Sequence, residues 1–289
     1  MKMSLRSPLG RRCAAAGVLA AAAVLAAMAT ASGGSASAGF YARALRAVKA
    51  DLRHMTAPNL PAPLRLSRPA ASANVTQVGS YNWSGYADVT SKTGKFSAVS
   101  GKWTVPKVSC SAEHRIESSW VGLDGANDTT VEQLGTVSQC FQDKAVYYSW
   151  YEMYPAGEVV VSKGVKAGNH ISASVTRSGT SYTLKLTDST TSGNNIKVTK
   201  SCSTCKNQDA EWIVERPDLA TTGIVPLAKF SSTGFTSASA TAGGKKGTIG
   251  TVSPYQYLMV DSTETYYLAK PSALNSNKNG FTDAWKNSY

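Results

Sequence analysis

"HISASVTRSGTSYTLKLTDS", residues 170–189, is two short alternating runs on either side of a Gly-containing turn. Ile171, Ala173 and Val175 fall on one face of the first run, and Tyr182, Leu184 and Leu186 on one face of the second. A period of two marks strands with one buried face, and the turn between them marks a hairpin. The same texture, rich in Val, Thr, Tyr and Ser, recurs in "KFSAVSGKWTVP", "AVYYSWYEMYP", "TGIVPLAKFSSTGFTSASA" and "YQYLMVD". No long helical pattern interrupts it after about residue 78. The pattern predicts an all-β sandwich or barrel over 76–289, in one domain.

The N-terminal quarter is different. Residues 1–12 carry four positive charges, Cys13 to Ala29 is an Ala/Val/Leu run, and "ATASGGSASAGF" supplies small residues for cleavage after Ala31 or Ala38. This predicts a signal peptide over 1–38 and a secreted protein; a retained anchor is the alternative. Residues 39–75 combine a basic helical pattern, "FYARALRAVKADLRHM", with a Pro-rich stretch. They read as a pro-segment or, alternatively, as a linker.

Charge follows this division. The formal net charge is +12, but residues 1–75 hold ten Lys/Arg against Asp51 alone, leaving 20 basic and 17 acidic residues in the remainder. A balance of about +3 there argues against a nucleic-acid partner. Beyond Cys13, the even set Cys110, Cys140, Cys202 and Cys205 predicts disulfides Cys110–Cys140 and Cys202–Cys205 in an exported chain. The alternative, a four-cysteine zinc site, usually needs two close pairs.

Several chemistries lack their residues. His54 lies in the presumed pro-segment, so His114 and His170 remain, with no G-x-S-x-G elbow, no H-E-x-x-H and no phosphate-binding Gly loop. Carboxylates, amides and aromatics are left. In "YYSWYEMYP", residues 147–155, Tyr148, Trp150, Glu152 and Tyr154 share a face, either a groove floor or an aromatic core with a hydrogen-bonded Glu. In "AEWIVERP", residues 210–217, Trp212 and Val214 face one way and Glu211 and Glu215 the other. The two Glu are about 13 Å apart on a strand, too far for a close carboxylate pair. By pattern alone that face reads as solvent or as part of a cleft.

"AEWIVERP", "WVGLDGANDTTVEQLG", "YYSWYEMYP" and the opening "YNWSGYA" together resemble the motifs of the glutamic peptidases, the G1 or eqolisin family, in the expected order. The resemblance spans about residues 79–270. It implies a lectin-like (concanavalin-like) sandwich of two antiparallel sheets and a secreted acid endopeptidase with a Gln/Glu dyad. Carried over by motif, Gln133 matches the catalytic Gln and Glu215 the catalytic Glu. Trp83, Trp120, Asp124, Glu152 and Tyr154 match positions around the cleft, with Glu211 beside them. Departures are Arg216-Pro217 after the second Glu, a Gln loop one residue shorter, and no Cys within 126–132. The implied partners are protein or peptide substrates of a monomer, with no cofactor, metal or stable membrane association. A carbohydrate-active sandwich using Glu152 and Glu215, or a non-catalytic binding module, are the alternatives.

Overall fold

The computed structural model describes residues 39, 40, 42, 43, 46, 75–111, 114–162, 164–219 and 223–287. The signal peptide expected over 1–38 lies outside the described residues, as does most of 39–75; residues 39, 40, 42, 43 and 46 are helical. Among the described residues no helix is long and apolar enough to cross a membrane.

The rest is strand and turn. In chain order come β1 (Thr76–Ser80), β2 (Trp83–Val89), β3 (Phe96–Thr104), β4 (Val108–Ser109), β5 (Ile116–Leu123), β6 (Val131–Phe141) and β7 (Lys144–Tyr154). Then follow β8 (Ala156–Ser162), β9 (His170–Ser178), β10 (Ser181–Asp188), β11 (Ile196–Ser201), β12 (Asp209–Glu215), β13 (Asp218–Leu219) and β14 (Gly223–Ile224). The last are β15 (Lys229–Phe230), β16 (Thr233–Ala242), β17 (Lys245–Gly247), β18 (Ser253–Val260), β19 (Tyr267–Pro271) and β20 (Phe281–Trp285).

They form two layers. One runs β20-β19-β18-β2-β12-β5-β6-β7-β8, and the other β11-β10-β9-β3-β16. The pairings are antiparallel except β1 on β18 and an isolated bridge between Ile116 and Leu227. β16 joins the layers: Thr233–Phe235 pairs with β20, and from Thr236 the strand pairs with β3. The expected antiparallel sandwich is therefore present.

The hairpin at 170–189 has the expected register. Ser178 pairs with Ser181 across a two-residue loop whose first residue, Gly179, has φ +60. A two-residue hairpin loop with left-handed backbone there suits glycine, because a Cβ would be strained. Ile171, Ala173, Val175, Tyr182, Leu184 and Leu186 are all buried, and the intervening residues are mostly not. This layer thus has one face in the core and one toward solvent.

The other layer behaves differently. Every residue of β5 and β12 is buried, and nearly every residue of β6. Its inner face meets the first layer through aromatic residues with polar tips. Trp212 Nε1 donates to Ser100 O at 2.8 Å, and Trp103 Nε1 donates to Thr136 Oγ1 at 2.9 Å. Satisfying these indole N–H groups allows large rings to be buried without a desolvation cost. The opposite face is also buried, and it carries Glu152, Glu211 and Glu215.

Both predicted disulfides are present. Cys110–Cys140 ties the chain after β4 to the end of β6, and Cys202–Cys205 closes a short loop between β11 and β12. The alternative zinc reading is overturned, because all four sulfurs are bonded in pairs.

Candidate active site

Register puts Gln133, Glu152 and Glu211 in one row and Glu215 farther along the same face. Gly122 on β5 pairs with Glu211 on β12 and with Gln133 on β6, and Gln133 pairs in turn with Glu152 on β7. Four adjacent strands therefore place Glu211, Gly122, Gln133 and Glu152 in one row. One step along, Ile213, Trp120, Gly135 and Trp150 form the next row. One step further, Trp83, Glu215, Ser118, Val137 and Tyr148 form a third. All three rows face away from the other layer, since Trp212, Val121 and Leu134 alternate with them into the core.

Glycine makes room for the two indoles. A Cβ at Gly135 would lie 2.3 Å from Ser119 O and 2.6 Å from Trp120 Cβ. No side chain fits there, so Trp120 and Trp150 flank a bare backbone.

Glu215 is fully buried. Its Oε2 accepts the Trp120 Nε1–H at 2.8 Å and its Oε1 accepts an Asn82 amide N–H at 3.4 Å. The Trp83 ring packs edge-on against Trp120, centroids 5.0 Å apart, and against Tyr257 at 5.6 Å. Burial pushes the Glu215 carboxyl well above the usual carboxylate range; the Trp120 donor opposes this and the Glu152 charge adds to it.

Gln133 is 1% exposed. Its Nε2 donates to Glu152 Oε2 at 2.7 Å, while its Oε1 has no hydrogen-bond partner among the described residues. An amide nitrogen carries two hydrogens, so one N–H and the carbonyl oxygen remain for water or substrate. Glu152 thereby fixes which way the amide faces.

The other motif residues have separate duties. Asp124, with φ +65, accepts the backbone N–H groups of Asn207 at 2.6 Å and Gln208 at 2.7 Å. It pins the turn after β5 to the chain leading into β12. Tyr154 is half-buried at the end of β7, before a cis Pro155. Arg216 is buried and donates from Nε to Tyr81 O at 2.5 Å, so the family-atypical Arg is absorbed by packing beside β2. His114 and His170 are exposed and lie on neither strand row. The solvent-face alternative for Glu211 and Glu215 is overturned, because both are fully buried.

One acid was missed by sequence reasoning. Both carboxylate oxygens of Glu158, on β8, are buried without a hydrogen-bond partner among the described residues. Burial raises its pKa well above the ordinary value, and the charges of Glu152 and Glu215 raise it further. It also raises the buried Tyr148 hydroxyl. Glu158 sits in an ordinary-looking exposed strand, "AGEVVVS". Tyr151 pairs with Val159 and Trp150 with Val160, so Glu158, alternating with Val159, falls on the same face as Glu152.

Known proteins share the family and the fold of this chain. The Peptidase A4 family matches over residues 81–279. No curated protein sequence matches the chain. Among solved structures, scytalido-glutamic peptidase with a transition state analog inhibitor superposes with a TM-score of 0.61 at 23% identity, covering 71% of this chain and 98% of that one. SCP-B, a member of the eqolisin family of peptidases in complex with the tripeptide Ala-Ile-His, gives 0.57 at 21% identity, covering 71% and 98%. Aspergilloglutamic peptidase from Aspergillus niger gives 0.51 at 26% identity, covering 60% and 99%.

Proposed function

The chain belongs to the Peptidase A4 family of glutamic peptidases, and from that premise we propose that it is a secreted endopeptidase of mildly acidic media whose dyad is Gln133 and Glu215. The observation that supports the assignment is that a Glu215 carboxylate held by Trp120 and Asn82 and a Gln133 amide held by Glu152 lie on one buried sheet face, with the Glu152 charge acting on Glu215.

Ionised Glu215 takes a proton from water as the water attacks the scissile carbonyl, and returns it to the departing amine. The second N–H of Gln133 stabilises the tetrahedral oxyanion, and its Oε1 accepts from the attacking water. A carboxylate in place of Gln133 would repel that oxyanion. The basic stretch 39–75 acts as a pro-segment in this reading.

Incubating the purified protein with a denatured protein across pH 3–7, with and without pepstatin, tests the assignment. Cleavage that pepstatin leaves intact is expected, because that inhibitor is built for two carboxyls sharing a proton. No cleavage, or complete block, overturns it.

Three acids on this face set the pH dependence. Trp120 and Asn82 donate to the Glu215 carboxylate, whereas Glu158 has no donor among the described residues, so Glu215 ionises before Glu158. Its raised pKa places the acid limb of kcat/KM above the range of an ordinary carboxylate. Glu158 still holds its proton while Glu215 titrates, so Glu158→Gln should leave that limb in place, read from the pH profile of kcat/KM. A limb moved to lower pH would show that Glu158 ionises first.

A further inference from the structure

The turn between β5 and β6, "DGANDTT" over 124–130, meets the first residue of β12, Asp209, in a cluster the dyad does not use. Asp124, Asp128 and Asp209 each bring a carboxylate oxygen within 4.8 Å of the others. Asp124 and Asp209 are buried and Asp128 is partly exposed. The groups that weigh most on Asp209 are burial, the charges of Asp124 and Asp128, and backbone amides; no basic side chain is among them.

Two observations separate this cluster from an acidic surface patch. Asp209 is fully buried; its Oδ2 accepts the Asn127 N–H at 3.1 Å, but its Oδ1 has no hydrogen-bond partner among the described residues. Glu211, two residues along the same face of β12, is also fully buried, with neither carboxylate oxygen hydrogen-bonded among the described residues. Its surroundings carry the charges of Asp209, Asp124 and Asp128. Buried carboxylate oxygens are normally hydrogen-bonded, paired or bound to a cation. Here three carboxylates from a strand and a turn converge; backbone amides and Thr130 satisfy part of them, and Asp209 Oδ1 and Asp128 Oδ2 are left without a donor among the described residues.

We propose that Asp124, Asp128 and Asp209 form a binding site for a hard divalent cation, calcium being the ion it fits. The donors are all oxygens, which excludes a preference for soft or borderline metals. Three carboxylates from two segments suit the irregular coordination of Ca²⁺ at six to eight oxygens, with water completing the shell. Thr130 Oγ1, which lies 3.2 Å from Asp128 Oδ1 and 3.5 Å from Asp124 Oδ2, is a further oxygen at hand. Partly exposed Asp128 gives the ion a route in. A bound ion would tie the turn before β6, which carries Gln133, to the start of β12, which carries Glu211 and Glu215. It would steady both halves of the site without touching substrate.

The test uses the full secreted chain, stripped with chelator and titrated with CaCl₂ at pH 7 by calorimetry, with melting followed in parallel. Saturable one-to-one uptake is expected, with a Kd of about 10⁻⁴ M, in the range of extracellular calcium modules, and a Tm that rises with Ca²⁺. Asp128→Asn should weaken uptake at least tenfold while leaving the ion-free Tm unchanged or higher, since it removes a like charge. A merely structural Asp128 would instead lower the ion-free Tm. Asp209→Asn should abolish uptake. No saturable heat up to 10 mM Ca²⁺, an equal Tm rise with NaCl at matched ionic strength, or undiminished binding by Asp128→Asn would each overturn the site.

Discussion

Glu215→Gln and Gln133→Ala should each lower kcat/KM on a denatured protein by about 10²–10⁴-fold, mainly through kcat. Glu215→Gln keeps the shape of the side chain, and its amide oxygen can still accept the Trp120 indole N–H that Oε2 accepts at 2.8 Å. What it loses is the ability to take a proton. Gln133→Ala removes both the free N–H and the unpartnered Oε1, so oxyanion and water lose a partner in one change. Glu211→Gln is the control on the same strand. It leaves Trp120, Asn82 and Glu152 in place and should cost far less. Folding is checked by circular dichroism and melting, because Gln133→Ala also leaves Glu152 without the amide it accepts from at 2.7 Å. Near-wild-type turnover in Glu215→Gln with an inactive Glu211→Gln would move the catalytic role to the other carboxylate. Activity surviving in both dyad variants would end the mechanism.

How much of this was legible depended on how many faces of a strand are buried. β9 and β10 have one wet face, so their alternation showed inside and outside directly. β5 and β12 are buried on both faces, and there period two separates two interiors rather than core from solvent. That is why "AEWIVERP" admitted a solvent reading for Glu211 and Glu215. Nothing in the residue pattern singles out Gln133; only the order of motifs did. Glu158 was invisible because β8 alternates only between exposed and half-buried residues, and its place beside Glu152 comes from the pairing with β7. The Asp124, Asp128 and Asp209 cluster was invisible for a simpler reason: a turn and a distant strand meet only after folding. The cysteine pairing was legible because an even count in a chain expected to be exported leaves few options.

The wild-type protein should be most stable in acid and should lose stability as pH rises through neutrality. Glu117 and Asp283 lie inside the sandwich, fully buried. Ser119 donates to Glu117 Oε1 at 2.5 Å and Ser84 to Asp283 Oδ2 at 2.8 Å. Burial pushes Glu117 from 4.5 up to about 7, with Asp283 adding to the rise, and pushes Asp283 from 3.8 up to about 7. A carboxyl raised by folding is protonated in both states below its unfolded pKa, so its contribution is fully present there. Above that pKa the unfolded chain ionises first, and stability falls until the folded group ionises too. The window is therefore from about pH 4 to about pH 7, and each group contributes on the order of 3 kcal/mol of loss across it. Asp261, whose pKa is lowered, acts in the opposite sense and only below its ordinary range. Melting temperature measured from pH 4.5 to 8, with chelator present, should fall steadily. Glu117→Gln mimics the protonated form and can still accept from Ser119. It should match the wild type at pH 4.5 and exceed it at pH 8. A flat or rising wild-type profile, or a Glu117→Gln profile of the same slope, would refute the idea that protons hold this core together. If the profile falls as expected, the dyad and the fold limit activity from opposite sides. In the proposed mechanism Glu215 loses its proton for catalysis, while Glu117 and Asp283 lend the sandwich most stability when they keep theirs, so activity is expected in the interval between.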